Sequence, residues 1–356
     1  MKRFLLLCSC LFLFACDTNP QEPSLAQMEM RGISWENVSL NLVKRRIKKG
    51  DDINAVEPTE YGWTILGRAS ASTKTKNIVK YLIDAGADVN KKDKTGATAL
   101  MKAGLSGDIE IVKMLIDAGA DVNARTYTGD TALLYAINAQ NANPDIIKLL
   151  VNSGADVNAI GEYSTCFGSI CSKKDSKINN EEMLKFFISK GAKVNIKHNI
   201  LGTTPLMSSV YSGKVETVKF LLDNGADINA KNDLAQTVIH IAAWQDNAAD
   251  IINFLASKKI SLETPDKFGR TPLVSAIIAE SPANIQALIN NGAKINVSYE
   301  GLTLLELATS ESKNQEVVRT LLKNGIKPTN KALNIANDTI KKSDVYWEIH
   351  DILPKK

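Results

Sequence analysis

Apolar residues along this chain recur in helical stripes. Ile111, Val112, Leu115 and Ile116 form one set and Val317, Val318, Leu321 and Leu322 another, each lying eight, seven, four and three residues before a glycine. That spacing puts four side chains on one face of an α-helix and predicts a buried stripe. The glycines at 86, 119, 154, 191, 225, 292 and 325 keep a period, with Lys259 in the slot between 225 and 292. Successive steps are 33, 35, 37, 34, 34, 33 and 33 residues, so the chain is built from repeats and not from one globular core. A glycine just after each stripe supplies the left-handed residue that ends a helix.

A second marker runs in phase with the first. Thr64, Thr98, Thr131, Thr165, Thr204, Thr237, Thr271 and Thr303 each precede a loop marker by 21 to 26 residues. Thr is an N-cap that satisfies an orphan amide, and the prolines in Thr204-Pro205-Leu206 and Thr271-Pro272-Leu273 occupy the one helical position where no N–H is missed. Five residues after each Thr the side chain is small in seven of eight copies, namely Ala69, Ala103, Ala136, Ser209, Ala242, Ala276 and Ala308, which predicts close helix packing. The loop that follows the second helix reads Asp-Ala-Gly-Ala-Asp-Val-Asn at 84–90 and 117–123, with close variants at 152–158, 189–195, 223–229 and 290–296. Asn90, Asn123, Asn158 and Asn229 are placed to bridge loop backbone through their side-chain amides.

This unit of Thr-x-Leu, helix, helix and Gly-Ala-Asp-Val-Asn resembles the ankyrin repeat, and the resemblance covers residues 55–327 as about eight copies. It implies an all-α repeat solenoid: helix-turn-helix units joined by short β-hairpin loops, curved, and capped at both ends because a single repeat cannot bury its own face. Residues 33–54 hold only a second helix and Gly50-Asp51-Asp52-Ile53-Asn54, with Arg46 in a slot that is apolar in complete copies, as an amino-terminal cap requires. Residues 328–356 lack the loop motif and read as the other cap.

The amino terminus carries a different signal. Lys2 and Arg3 precede an apolar run, Phe4 to Ala15, that is too short to span a bilayer and has the layout of a secretory signal over residues 1–15. It ends in Leu13-Phe14-Ala15-Cys16, which resembles a bacterial lipobox and implies diacylation of Cys16; the alternative is an ordinary signal peptide with an incidental cysteine. Residues 16–32 then read as lipidated cysteine and flexible tether, and Asp17 resembles the signal that retains such proteins at the inner membrane. The expected location is the bacterial envelope, facing the periplasm. Removing residues 1–15 leaves 41 basic against 39 acidic side chains, a balance too near neutral for a nucleic-acid partner.

Candidate chemistry is sparse. Repeat 4 carries an insertion near 166–180, and after signal removal and acylation Cys166 and Cys171 are the remaining thiols. In an oxidising compartment they are candidates for a disulfide, provided the segment leaves regular helix, since five residues of helix hold two Cα atoms roughly 8 Å apart; the alternative is a pair of thiols. His198, His240 and His350 show no metal-ligand spacing, and no cofactor, metal or small-molecule substrate is implied. His240 lies where the family's histidine braces a loop. An enzyme would need a catalytic cluster within the insertion.

The expected activity is therefore binding. In the family, hairpin tips and the concave face of the first helices grip partners, and here those positions carry Tyr61, Trp63, Tyr127, Tyr163, Phe268 and Tyr299 at the tips with Tyr211 and Trp244 on the concave side. Large aromatics are favoured interface anchors. About half are expected to pack against neighbouring hairpins instead, Phe268 and Tyr163 first among them. The reading is a monomeric, non-catalytic scaffold for another protein, periplasmic or secreted, touching membrane only through its lipid. The sharper expectation is an inhibitor or immunity protein for a secreted toxic enzyme, and the alternative is an accessory factor for an envelope stress-response or assembly complex.

Overall fold

The computed structural model describes residues 23–28, 34–174, 177–178, 181–198, 200–311, 314–339 and 349–350. Cys16, Asp17 and the signal segment 1–15 lie outside the described residues.

Eight antiparallel helix pairs follow one another in chain order. Their first helices are Ile65–Ser70, Ala99–Ser106, Ala132–Asn138, Cys166–Ser172, Pro205–Ser209, Val238–Trp244, Pro272–Ile278 and Leu304–Glu311. Their second helices are Lys76–Asp84, Ile109–Asp117, Pro144–Asn152, Glu181–Ser189, Val215–Asp223, Ala249–Ser257, Pro282–Asn290 and Gln315–Lys323. Leu40–Lys48 precedes the first pair and Asn330–Thr339 follows the last. First helices pack on first helices of the next repeat, and second on second, so the core is a continuous strip.

The markers do the physical work expected of them. Thr hydroxyls accept from the third amide of the helix they precede: Thr64 from Gly67 at 2.9 Å, Thr165 from Gly168 at 3.0 Å and Thr204 from Met207 at 3.3 Å. The small residues at the sixth position are fully buried, from Ala69 through Ser209 to Ala308, where they let first helices approach closely, and repeat 4 buries Ile170 in the same place. In the second helices the first three stripe positions are buried, as at Ile111, Val112 and Leu115, while the fourth, Ile116, is half-buried.

The loop asparagines stitch consecutive repeats together. Asn123 Oδ1 accepts from Asp156 N–H at 2.8 Å and its Nδ2 donates to Gly154 O at 2.9 Å, satisfying backbone that no helix serves. Asn90, Asn158 and Asn195 repeat both bonds one unit along, and Asn54 of the cap accepts from Asp88 N–H at 2.8 Å. Among the described residues Asn229 makes no such bridge; the next loop has Lys259 in the glycine slot, with φ of 61°.

The hairpins are tight turns more than sheet. Only Ser298–Tyr299 pairs with Leu302–Thr303 as a short antiparallel ladder among the described residues, and isolated bridges join Val56 to Thr64 and Ile160 to Thr165. Elsewhere a side-chain acceptor shapes the turn: Asp93 Oδ1 takes Thr95 and Ala97 N–H at 2.8 and 2.9 Å, and Asp266 Oδ1 takes Phe268 and Arg270 N–H, both at 2.9 Å. Neighbouring tips are tied by backbone bonds, Tyr127 N–H to Thr95 O at 3.1 Å and Lys267 N–H to Leu234 O at 2.8 Å.

Two segments depart from the sequence reading. Residues 23–28 fall in the stretch read as flexible tether, yet Leu25 and Met28 are buried and Leu25 N–H donates to Asp51 Oδ2 at 2.8 Å. Asp51 also pairs with Arg46 at 2.7 Å, which explains the charge in an otherwise apolar slot. In repeat 4 the helix Cys166–Ser172 stays regular, because Thr165 caps it and Phe167 stacks on Phe187 with centroids 6.2 Å apart. The extra length falls after that helix, where Ile178 is buried. Cys166 and Cys171 are therefore buried thiols, not the disulfide that a break in the helix would have permitted, and burial pushes both thiols far up in pKa.

Candidate functional site

Exposure of large apolar side chains is one-sided. Tyr61, Leu105, Tyr127, Tyr163, Ile200, Leu201, Tyr211, Trp244 and Phe268 are the large hydrophobics exposed among the described residues, and each lies on a hairpin tip or a first-helix segment. No second helix carries one among those residues. A stack whose outer helices are polar on their free side while its tips and first helices are greasy has one face arranged for contact.

Six of the eight aromatics read from sequence are on that face and exposed. Tyr163 at 75% and Phe268 at 55% correct the expectation that these two pack first; at Phe268 the Asp266 carboxylate holds the backbone N–H while the ring stays largely exposed. The half-buried pair is instead Trp63 and Tyr299. Trp63 is sandwiched, with the Arg68 guanidinium 4.0 Å and Lys102 Nζ 4.2 Å from its ring centroid. Those cations are fixed by carboxylates, Arg68 by Glu57 at 2.6 Å and Lys102 by Asp93 at 3.0 Å, so Trp63 belongs to a local charge cluster that locks repeats 1 and 2.

Three depressions run along the first-helix face. One is bordered by Leu105, Tyr135, Asn138 and Tyr163. The next, of about 350 Å³, is bordered by Tyr163, His198, Leu201, Ser208 and Tyr211. The third lies between Tyr211, Gln236, Trp244, Gln245 and Arg270. Tyr163 is shared by the first two and Tyr211 by the last two, so they form one trough from repeat 2 to repeat 7.

The trough's walls are held by histidine braces. His240 Nδ1 accepts from Thr237 N–H at 3.2 Å, and its Nε2 meets Arg270 O at 3.2 Å, so the neutral ring ties one first helix to the next tip. Burial holds its pKa below the ordinary value. His198, itself in the tip before repeat 5, makes a contact of the other sense, its Nε2 lying 3.1 Å from Glu162 O of the preceding tip. Arg270 itself is fixed by Asp266, with Nη2 at 2.8 Å and Nε at 2.9 Å from Oδ2, and lies 4.5 and 5.4 Å from the ring centroids of Phe268 and Trp244.

Leu105, Ile200, Leu201, Gln236 and Arg270 were missing from the sequence reading of this face. Leu105 sits seven residues after Thr98, the slot of Tyr211 and Trp244, and that register was the available signal. Ile200 and Leu201 replace the aromatic of other tips. For Gln236 and Arg270 no sequence signal distinguishes a turn residue from a groove wall.

The geometry defines a stacked helix-pair repeat protein with an open lateral trough. The ankyrin-repeat family model matches residues 32–126, 95–160, 171–266 and 239–332, and the chain belongs to that family. It is also similar to "Fibronectin type 3 and ankyrin repeat domains 1 protein" of Mus musculus, 53% identical over 51 residues, and to "Fibronectin type 3 and ankyrin repeat domains protein 1" of Homo sapiens, 49% identical over 51 residues. Each match covers 14% of this chain and 15% of the relative, so the likeness is confined to the length of fewer than two repeats. Ankyrin repeats are protein-interaction scaffolds, and binding another protein is the function this fold carries.

Proposed function

We propose that this chain is a non-catalytic scaffold held on a bacterial envelope membrane through a lipidated Cys16, and that it binds a periplasmic or secreted protein in the trough of its first-helix face. The supporting observation is the one-sided exposure: every exposed large hydrophobic among the described residues lies on the tips and first-helix segments. The export reading rests on the Leu13-Phe14-Ala15-Cys16 box and the basic start before it. No helix among the described residues is long and apolar enough to cross a membrane.

A rigid one-faced scaffold with no chemistry of its own suits an inhibitor that occludes a toxic secreted enzyme, and an immunity protein is the specific role we put forward. The test has two arms. Metabolic labelling with a palmitate analogue should mark the chain and fail on Cys16→Ser; an unlabelled wild-type chain would remove the anchor. Cross-linking in envelope fractions should recover one dominant partner that Tyr211→Ala loses, and recovery of cytoplasmic proteins alone would remove the export reading.

A further inference from the structure

The trough is chemically uneven along its length. At repeats 2 to 5 its borders are mostly apolar and hydroxyl side chains, joined by Asp130, Asn138 and His198, and Tyr163, Leu201 and Tyr211 are exposed at 75%, 45% and 48%. At repeats 5 to 7 it is lined by polar donors around Trp244. Asp130 and Arg270 are the carboxylate and guanidinium that border it, one near each end. Arg270 is already neutralised, because Asp266 takes its Nε and Nη2 edge; its Nη1 edge has no hydrogen-bond partner among the described residues. Gln236 is more than nine-tenths buried and gives Oε1 to Asn232 Nδ2 at 3.1 Å, which leaves Nε2 with no partner among the described residues beside the same depression.

Unfilled N–H groups beside an already balanced charge ask for a neutral acceptor, and the commonest one on a polypeptide is a backbone carbonyl. A partner carrying a formal charge into the trough would meet no complementary ion along its middle. Helix-to-helix spacings of roughly 8–10 Å over the five steps from repeat 2 to repeat 7 give about 45 Å, the length of about thirteen residues of extended chain.

We propose that the trough seats an extended, uncharged segment of the partner polypeptide, with apolar side chains over Tyr163, Leu201 and Tyr211 and a backbone carbonyl at Arg270 and Gln236. This deepens the protein-binding reading and rests on it. The segment runs across the first helices, and its main chain, more than its side chains, is read at the repeat 7 end. The Arg270 donor is pre-positioned by the Asp266 pair and by the flanking Phe268 and Trp244 rings, so binding need not order it.

The test is to pan the full chain against a displayed library of random fifteen-residue peptides, then measure the enriched sequences by fluorescence anisotropy. Enrichment of peptides without Lys, Arg, Asp or Glu at their central positions is expected, with affinity at least tenfold weaker on Tyr211→Ala and on Arg270→Gln, and unchanged on Tyr61→Ala. Circular dichroism of each variant controls for folding, and Tyr211→Ala carries the result if Arg270→Gln fails to fold. Enriched peptides with a fixed charge, or equal binding to the Tyr211→Ala chain, would overturn the proposal. If no peptide is enriched while a folded envelope partner is still recovered and lost on Tyr211→Ala, the extended segment is wrong and the scaffold reading stands. If Tyr211→Ala leaves that partner bound, the trough is not the seat and both fall.

Discussion

Asn284 Nδ2 donates to Gln245 O at 2.8 Å, joining the second helix of repeat 7 to the end of the first helix of repeat 6. The same amide lies 3.2 and 3.3 Å from Ala242 O and Ala243 O, so one buried side chain reaches three carbonyls at the end of the helix Val238–Trp244, of which Ala242 O also accepts from Gln245 N–H. Other copies place Ile111 or Val317 at this stripe position, so the asparagine is a local device for fixing the residues beside Trp244. Asn284→Val should cost about 1–2 kcal/mol, the loss of buried carbonyl partners outweighing the gain of relieving the unpartnered Oδ1. Urea denaturation measures it; an unchanged or higher midpoint would show that the amide contributes nothing net.

Lys259 is the converse case, a residue at odds with its backbone. It ends the helix Ala249–Ser257 with φ of 61°, where seven other copies have glycine. A left-handed non-glycine residue is strained by roughly 1–2 kcal/mol, part of which glycine returns through its greater freedom in the unfolded chain. Lys259→Gly should therefore raise stability by about 0.5–1 kcal/mol in the same denaturation assay. A loss of stability would mean that the lysine side chain contributes contacts that its conformation conceals.

The repeat frame was readable because period and capping chemistry act locally: Thr204 and Gly225 do in the fold what any Thr before a helix and any glycine after one would do. Burial of the small position was readable for the same reason, since Ala242 can only mean close approach. What escaped is relational. Whether Phe268 packs or stands clear depends on the side chains of adjacent tips, and whether Arg270 borders a trough depends on Tyr211, nearly sixty residues earlier. The disulfide expectation failed on such a point: Cys166 and Cys171 remain helical because Phe167 finds Phe187, a contact that spacing alone does not announce.

The His240 brace makes stability depend on pH. Its Nδ1 must be unprotonated to accept from Thr237 N–H, and burial sets its folded pKa below the ordinary 6.5. As pH falls below 6.5, the unfolded chain takes up a proton that the fold refuses, so the stabilisation present at neutral pH shrinks until the folded value is reached. Wild-type stability should drop between pH 7 and pH 5 more steeply than that of His240→Gln, in chemical denaturation at matched salt. Parallel curves would assign the pH dependence to other groups.

The thiol pair gives a direct chemical check. Cys166 and Cys171 are buried on a regular helix with their pKa values driven up by desolvation, so neither presents thiolate. Iodoacetamide at pH 8 should leave both unmodified in the folded chain and label both in denaturant with no reductant added, as read by peptide mass mapping. Labelling that requires a reductant would establish the disulfide and displace the thiol assignment.

The asparagine bridges offer the sharpest contrast, because Asn229 in the same motif lacks them. Asn123 bonds Asp156 N–H and Gly154 O across the repeat boundary, whereas Asn229, in the same loop position, shows neither bond to the next repeat. Both are exposed, so side-chain burial is not the variable. Each cross-repeat bond at a solvent-facing loop is worth about 0.5–1 kcal/mol net, which puts Asn123→Ala at about 1–2 kcal/mol and Asn229→Ala within about 0.5 kcal/mol of wild type. In a stacked array the interface between neighbours carries cooperativity. Asn123→Ala should therefore also broaden the denaturation curve, as the repeats on either side begin to unfold separately. Equal effects from the two substitutions would show that the loop asparagines act within their own repeat and not between repeats.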